Sequence, residues 1–479
     1  MNKNRIYKYA GFTLVLLSFA ACKPLEIQQR VENKTVPTHY GTAEQDSANT
    51  GKMKWDSYFT DPNLQALIQE ALQNNQELNI ILQEIEIERN EVSAKKGEYL
   101  PSVGIKAGAG LDKVSRYTNI GAMEANTEIE PGREMPEPLL DFGLGLQAKW
   151  ETDIWGKLHN ATKAQLHRYL ASVEGKNFMV TNLISEIADS YYELLALDNE
   201  LEVINENIKI QNNALAVVND LKQFARANKL AIKRFQAQIL KTQGMQFDIK
   251  QKITETENKI NFLVGRFPQE VKRNHDAFAS LVPPTVYTGI PADLLENRPD
   301  IKQAEYELAA AKLDIKSAKA RFYPSLDITA GIGLQAFDPT YLIKPASFVS
   351  SLVGELTAPL VNKRAIQAAY KNANARQVQA VLHYEQTVLG AFIEVTNQLS
   401  KIKNLESGLA IKTKEVDALN ESIGISNDLF KYARADYMEV LLTQRDALES
   451  KFEFVEKKVS QLKASISIYR SLGGGWNQR

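Results

Sequence analysis

The 479-residue chain is 44% hydrophobic and 24% charged, with a formal net charge of -1. That length allows two or three ordinary domains. The charge balance excludes both a basic field for nucleic acid and an acidic tail. Beyond the N-terminus no stretch of about 18 apolar residues appears, so if the mature chain crosses a membrane it must do so with strands.

In chain order, Lys3, Arg5 and Lys8 form a positive patch ahead of an apolar run from Ala10 to Ala21, the pattern of a secretory signal. Phe19-Ala20-Ala21-Cys22 follows, and Cys22 is the only cysteine. Small residues before a cysteine at that point resemble a lipobox. Residues 1–21 are therefore predicted to be a signal peptide, with Cys22 as the lipidated residue that anchors the chain to outer-membrane lipid. Residues 22–52 form the lipidated cysteine and a polar, irregular tether. A lone cysteine leaves no internal disulfide to expect.

The rest of the chain is written twice. Pro101-Ser102-Val103-Gly104-Ile105-Lys106-Ala107-Gly108-Ala109-Gly110 matches Pro324-Ser325-Leu326-Asp327-Ile328-Thr329-Ala330-Gly331-Ile332-Gly333 at six of ten positions, and Phe224-Ala225-Arg226-Ala227 echoes Tyr432-Ala433-Arg434-Ala435. The offset shrinks from 223 to about 208 residues, which places an insertion of roughly fifteen residues between the two strands of the first copy. The repeats are assigned to 53–265 and 292–479, with an inter-repeat segment at 266–291.

Each repeat carries a helical pattern, two alternating segments and a very long helical pattern. Strands are predicted at about 102–117, 139–152, 325–337 and 347–358. In the second, Leu140, Phe142, Leu144, Leu146, Ala148 and Trp150 alternate with Asp141, Gly143, Gly145, Gln147, Lys149 and Glu151. Segments of about ten residues with one apolar and one polar face fit transmembrane strands around a wet lumen. The helical runs, about 155–265 and 361–472, contain no proline before Pro268 in the first copy and none in the second. Apolar residues recur at helical spacing, as in Leu183, Ile187, Tyr191, Leu194, Leu195, Leu197 and Leu201. Runs of that length suit helical hairpins, with arms of roughly 80–100 Å that must pack as coiled coils. Four strands cannot close a barrel, and an open edge in lipid leaves backbone groups unpaired, so several protomers must share one barrel.

Further motifs carry a family resemblance. Arg298-Pro299-Asp300-Ile301-x-x-Ala304-Glu305-x-x-Leu308, followed by Phe322-Tyr323-Pro324-Ser325, resembles the signature of the outer-membrane factors, the TolC- and OprM-like channels. Trp55, Phe59, Asp61-Pro62, Leu64, Leu67-Ile68, Ala71-Leu72 and Asn74-Asn75 resemble the opening of its lipoprotein, NodT-type branch. Trp150-Glu151-x-Asp153-Ile154-Trp155-Gly156-Lys157 is similar to its turn from strand into long helix. The resemblance implies a mainly α fold with a β-barrel part. Long helical hairpins would form an α-barrel tunnel, and four strands per protomer would complete a 12-stranded barrel in a homotrimer. It also implies a passive efflux channel in the outer membrane, served by a periplasmic adaptor and an inner-membrane pump of the RND type. Residues 266–291 would join an equatorial belt.

In such channels the hairpin tips form the periplasmic entrance. The resemblance places them near Phe224–Leu230 and Tyr432–Tyr437, with Phe224, Arg226, Lys233, Tyr432, Arg434, Asp436 and Glu439 as tip and gate candidates. Glu439 opens a run, Glu439-Val440-Leu441-Leu442-Thr443-Gln444, that resembles the family's acidic-Val-Leu-x-x-Gln segment. A ring of such carboxylates would favour cations. Lys233 is read as standing where the first repeat usually has an acid, and as a possible partner of Glu439 across hairpins; ordinary solvated charges are the other reading of both.

No catalytic or cofactor site is expected. His39, His159, His167, His275 and His383 are scattered and lack zinc spacing. Gly108-x-Gly110 and Gly331-x-Gly333 lie within alternating strands rather than at a strand-to-helix turn. A second reading of the whole chain is a lipid-anchored periplasmic coiled-coil adaptor or scaffold, which would need no membrane strands.

Overall fold

The computed structural model describes residues 28–40, 48–224, 226–274, 278, 281–359, 361–432 and 434–477. The expected signal segment, 1–21, and Cys22 lie outside them. The described residues divide into two compact units, one built from residues 28–31, 86–170 and 306–382, the other from those within 32–85, 171–305 and 383–477.

The elements in order are α1 (Pro62–Asn74), α2 (Gln76–Tyr99), β1 (Ser102–Asp112), β2 (Leu139–Thr152), α3 (Lys157–Gln223), α4 (Lys229–Val264), α5 (Pro299–Ala320), β3 (Ser325–Ala336), β4 (Phe348–Thr357), α6 (Arg364–Lys431) and α7 (Tyr437–Ser471). The first strand stops at Asp112, short of the expected 117. Beyond it the chain turns into a short helix, Asn119–Glu124, capped by the Thr118 hydroxyl on Gly121 N–H. A small hairpin, Glu128–Glu130 with Arg133–Glu134, completes the insertion unique to the first repeat. Tyr117 therefore stands in this connection, fully exposed, and not at a strand end.

In the first unit the four strands form one antiparallel sheet in the order β1-β2-β3-β4. Register decides what each face carries. Ile105 lies opposite Leu146, Leu146 opposite Ile332, and Ala330 opposite Leu352, so the apolar sets of all four strands share one face. The other face carries Lys106, Asp141, Gln147, Lys149, Glu151, Asp327, Thr329 and Glu355. Gly145 and Gly333 pair at its centre. A Cβ on Gly145 would sit 2.6 Å from the Ile332 carbonyl oxygen, and one on Gly333 would sit 2.6 Å from that of Leu144. The strands come so close there that only glycine fits.

The turn from β2 into α3 is built locally. The Asp153 carboxylate accepts from Leu158 N–H at 3.0 Å and His159 N–H at 2.7 Å, covering free donors of the first helical turn. Gly156 supplies the left-handed backbone (φ 71°). Trp155 donates its indole N–H to the Pro324 carbonyl at 2.8 Å and stacks on Tyr323, which ties the end of β2 in the first repeat to the start of β3 in the second.

The second unit holds the main core. Leu183, Ile187, Tyr191, Leu194 and Leu195 of α3 are buried against Leu64, Ile68, Ala71, Ile260, Val264, Leu462 and Ile466. Tyr58 stacks on Tyr469 with ring centres 4.1 Å apart, and Tyr191 donates to Asp61 at 2.8 Å. Each repeat ends its second long arm in the same way. Gly265 (φ 82°) presses on the Asn74 carbonyl and Gly473 (φ 87°) on that of Asn297, so a side chain at either would collide with backbone. The duplication thus survives in packing as well as in sequence. Residues 32–40 run beside α6: Asn33 N–H donates to Glu385, Lys34 pairs with Glu305 at 2.6 Å, and Tyr40 stacks on Phe392.

Candidate functional site: strand sheet and hairpin tips

The sheet presents its apolar face bare. Val103 is 67% exposed, Ile105 79% and Leu352 78%. A contiguous apolar face of this size is not left in water. Among the described residues no helix is long and apolar enough to cross a membrane. The bare apolar face is what suits the sheet to lipid. The polar face lines a hollow of about 500 Å³ that includes Lys106, Asp141, Gln147, Gly331 and Ser351. β1 and β4 each pair on one side only among the described residues. Their open edges need strands from other copies.

Both hairpins turn alike. Arg226 N–H donates to the Leu221 carbonyl at 2.9 Å, and Arg434 N–H to that of Leu429 at 2.8 Å. Phe224 and Tyr432, at equivalent places, are 74% and 71% exposed. The return helices begin at Lys229 and Tyr437, preserving the 208-residue offset. This register corrects the sequence-based match of Lys233 with Glu439. Glu439 corresponds to Ala231, which is buried, and Lys233 corresponds to Leu441. The echo of Phe224-Ala225-Arg226-Ala227 in Tyr432-Ala433-Arg434-Ala435 has the same 208-residue offset as the two helix starts. Within the protomer Lys233 bonds Gln236 of its own helix at 3.0 Å. Glu439 is exposed and forms no ion pair among the described residues.

What joins the two tips is mainly apolar. Val218, Ala231, Ile232 and Phe235 of the first hairpin form one cluster with Phe430 and Val440 of the second. Arg234, missed in the sequence, places its guanidinium 3.2 Å from the Met438 sulfur of the other hairpin. Gln444 is buried to 1% exposure, and both ends of its amide lack a partner among the described residues. Asn228 caps Ala231 N–H with its side chain, whereas Asp436 makes no side-chain cap. Arg226, Arg434 and Asp436 all face solvent.

Charge is buried farther along the hairpins. Arg273 bonds both Asp198 and Glu257, fastening the inter-repeat segment to the first hairpin. Arg298, of the Arg-Pro-Asp motif, bonds Asp300 at 2.7 Å, Glu394 at 2.9 Å and the Ser471 carbonyl at 2.8 Å, clamping the end of α7. Lys412 pairs with Glu415 of its own helix and with Glu453 across the second hairpin. Burial pushes the Asp189 carboxyl up to about 6, opposed by Lys463, Arg470, Lys259 and Lys401. Burial likewise pushes Glu200 up to about 7, with Lys252 opposing.

A bare apolar strand face, a polar opposite face and paired helical hairpins define a channel-forming protein of the outer membrane. The Outer membrane efflux protein family matches residues 67–266 and 290–474, and the chain belongs to it. It is 26% identical over 427 residues to the Cation efflux system protein CusC of Escherichia coli O6:H1, covering 88% of each chain. It is 25% identical over 438 residues to the Solvent efflux pump outer membrane protein SrpC of Pseudomonas putida, covering 91% of this chain and 90% of the other. The structure of the outer-membrane channel OprN superposes with a TM-score of 0.83 at 21% identity, covering 95% of this chain and 99% of that one. The fold is that of the trimeric channels built from an α-barrel and a β-barrel.

Proposed function

We propose that this chain is a conduit shut at rest by its hairpin tips, tethered to lipid through Cys22 and driven by a pump of the RND type. The broader role is that of the family: an outer-membrane channel of a tripartite export system, joined to a periplasmic adaptor and an inner-membrane pump and performing no catalysis itself. One observation carries this most directly. The sheet has an exposed apolar face, a polar opposite face and two open edges, a combination that is stable only where neighbouring protomers close a barrel in lipid.

The gate reading rests on the tips. The shared cluster around Phe235, Phe430 and Val440 holds the two hairpins of a protomer together. Phe224, Arg226, Lys233, Tyr432, Arg434, Asp436 and Glu439 are left to meet neighbouring hairpins and the adaptor. Lys233 bonds Gln236 of its own helix, and neither it nor Glu439 forms an ion pair among the described residues, so both are available to pair between protomers. The cation-exporting and solvent-exporting relatives are about equally similar to this chain, so family likeness does not select a cargo.

Planar-bilayer recording of purified trimers tests the gate. Arg434→Ser is expected to raise the resting current several-fold, and Glu439→Gln to change it as well. Resting currents unaltered by both substitutions would remove the tips as the gate. A Cys22→Ala variant that remains in the outer membrane through its barrel would show that the lipid is an accessory anchor.

A further inference from the structure

The two hairpin ends differ in charge. The end of the first hairpin carries Lys222, Arg226, Lys229, Lys233 and Arg234 against a single acid, Asp220. All five basic side chains are exposed, and none has an ion-pair partner among the described residues. The matching stretch of the second hairpin carries Lys431 and Arg434 against Asp428, Asp436 and Glu439. The first tip therefore has a formal surplus of four positive charges and the second a surplus of one negative charge. Complete pairing of Asp428, Asp436 and Glu439 with basic groups would still leave the entrance positive. The position equivalent to Glu439 in the first hairpin is the buried Ala231, so acids from both hairpins cannot form a continuous ring.

We infer that the periplasmic mouth is anion-selective, admitting small anions and carboxylate- or phosphate-bearing solutes ahead of cations. This rests on the proposed reading that the tips of three protomers surround the entrance. Three copies bring a formal surplus of nine positive charges to one ring. Basic rings set anion preference in pores, as acidic rings set cation preference. Clustered charges in a confined opening create potentials of one to several RT per unit charge. Even one RT raises an anion and lowers a cation by about threefold each, a permeability ratio of roughly seven. Salt screens the effect over about 10 Å at 0.1 M ionic strength, so it weakens as concentration rises.

The test is the reversal potential of many channels in one planar bilayer under a KCl gradient, which remains readable when each channel is mostly shut. Oligomer mass is determined on the same preparation. The expected result is a chloride preference of several-fold that falls towards unity in Lys229→Gln/Lys233→Gln and declines further with Arg226→Gln added. Retained trimer mass separates loss of selectivity from loss of folding. A potassium preference in the unaltered protein overturns the inference, as does a chloride preference that these substitutions leave unchanged. Absence of any current from intact trimers would instead overturn the conduit reading beneath it.

Discussion

Replacing Leu146 with arginine separates a lipid-facing from a water-facing strand face at a single point. Leu146 lies near the middle of β2, opposite Ile105 on one side and Ile332 on the other, and is 46% exposed in the protomer. An arginine facing lipid at the bilayer midplane costs about 2–4 kcal/mol. A trimer contains the substitution three times, so the assembled barrel loses roughly 6–12 kcal/mol. Gln147, the next residue, points to the other face between Gly104 and Gly331, where both cross-strand neighbours leave room for a long side chain. Gln147→Arg is therefore expected to stay within about 1 kcal/mol of the unaltered protein. Trimer yield after refolding into phosphatidylcholine vesicles reads the difference. Leu146→Arg should lower it by more than about tenfold, and Gln147→Arg by less than about twofold. Equal losses, or a greater loss from Gln147→Arg, would refute the assignment of faces.

Gly145→Ala is expected to weaken β2–β3 pairing by about 1–3 kcal/mol per protomer, because its Cβ would meet a carbonyl oxygen at 2.6 Å. Gly143→Ala, with open space around it, should be tolerated, and the thermal midpoint of the trimer compares the two. Arg273→Met would leave Asp198 and Glu257 without their shared partner. A loss of about 3–5 kcal/mol is expected, read in chemical denaturation and as faster hydrogen exchange in residues 266–274. Asp189 holds its proton more tightly folded than unfolded. Its contribution is therefore greatest below the ordinary carboxylate value of 3.8 and is lost as pH rises to about 6. Asp189→Asn should thus stabilise the protein at pH 7.5 by about 1–2 kcal/mol, a figure reduced for partial solvation. Melting curves should show little gain at pH 4, and a larger gain there than at pH 7.5 would reverse the sign and contradict the burial argument.

The sheet was legible because a period of two records which face of a strand is apolar, and β2 shows it across its length from Leu139 to Thr152. The end of β1 was harder to place. Lys113 to Tyr117 carries no signal separating strand from connection, and the Thr118 cap that starts the next helix acts through a single hydroxyl. At the tips, the reading of Lys233 rested on family resemblance and departs by two residues from the 208-residue offset of the Phe224–Ala227 echo. Helix starts at Lys229 and Tyr437 follow that offset and make Ala231, not Lys233, the counterpart of Glu439. Arg273 gave no local signal, since its partners lie 75 and 16 residues away. Gln444 belonged to a visible motif, but its burial without a partner depends on how helices pack.

Planar-bilayer conductance of the detergent-purified protein, with oligomer mass measured on the same sample, tests the conduit most directly. The expected result is a trimer with small, mostly closed currents that increase in Arg434→Ser. A folded monomer that conducts nothing in any tip variant would contradict it and leave a lipid-anchored helical scaffold.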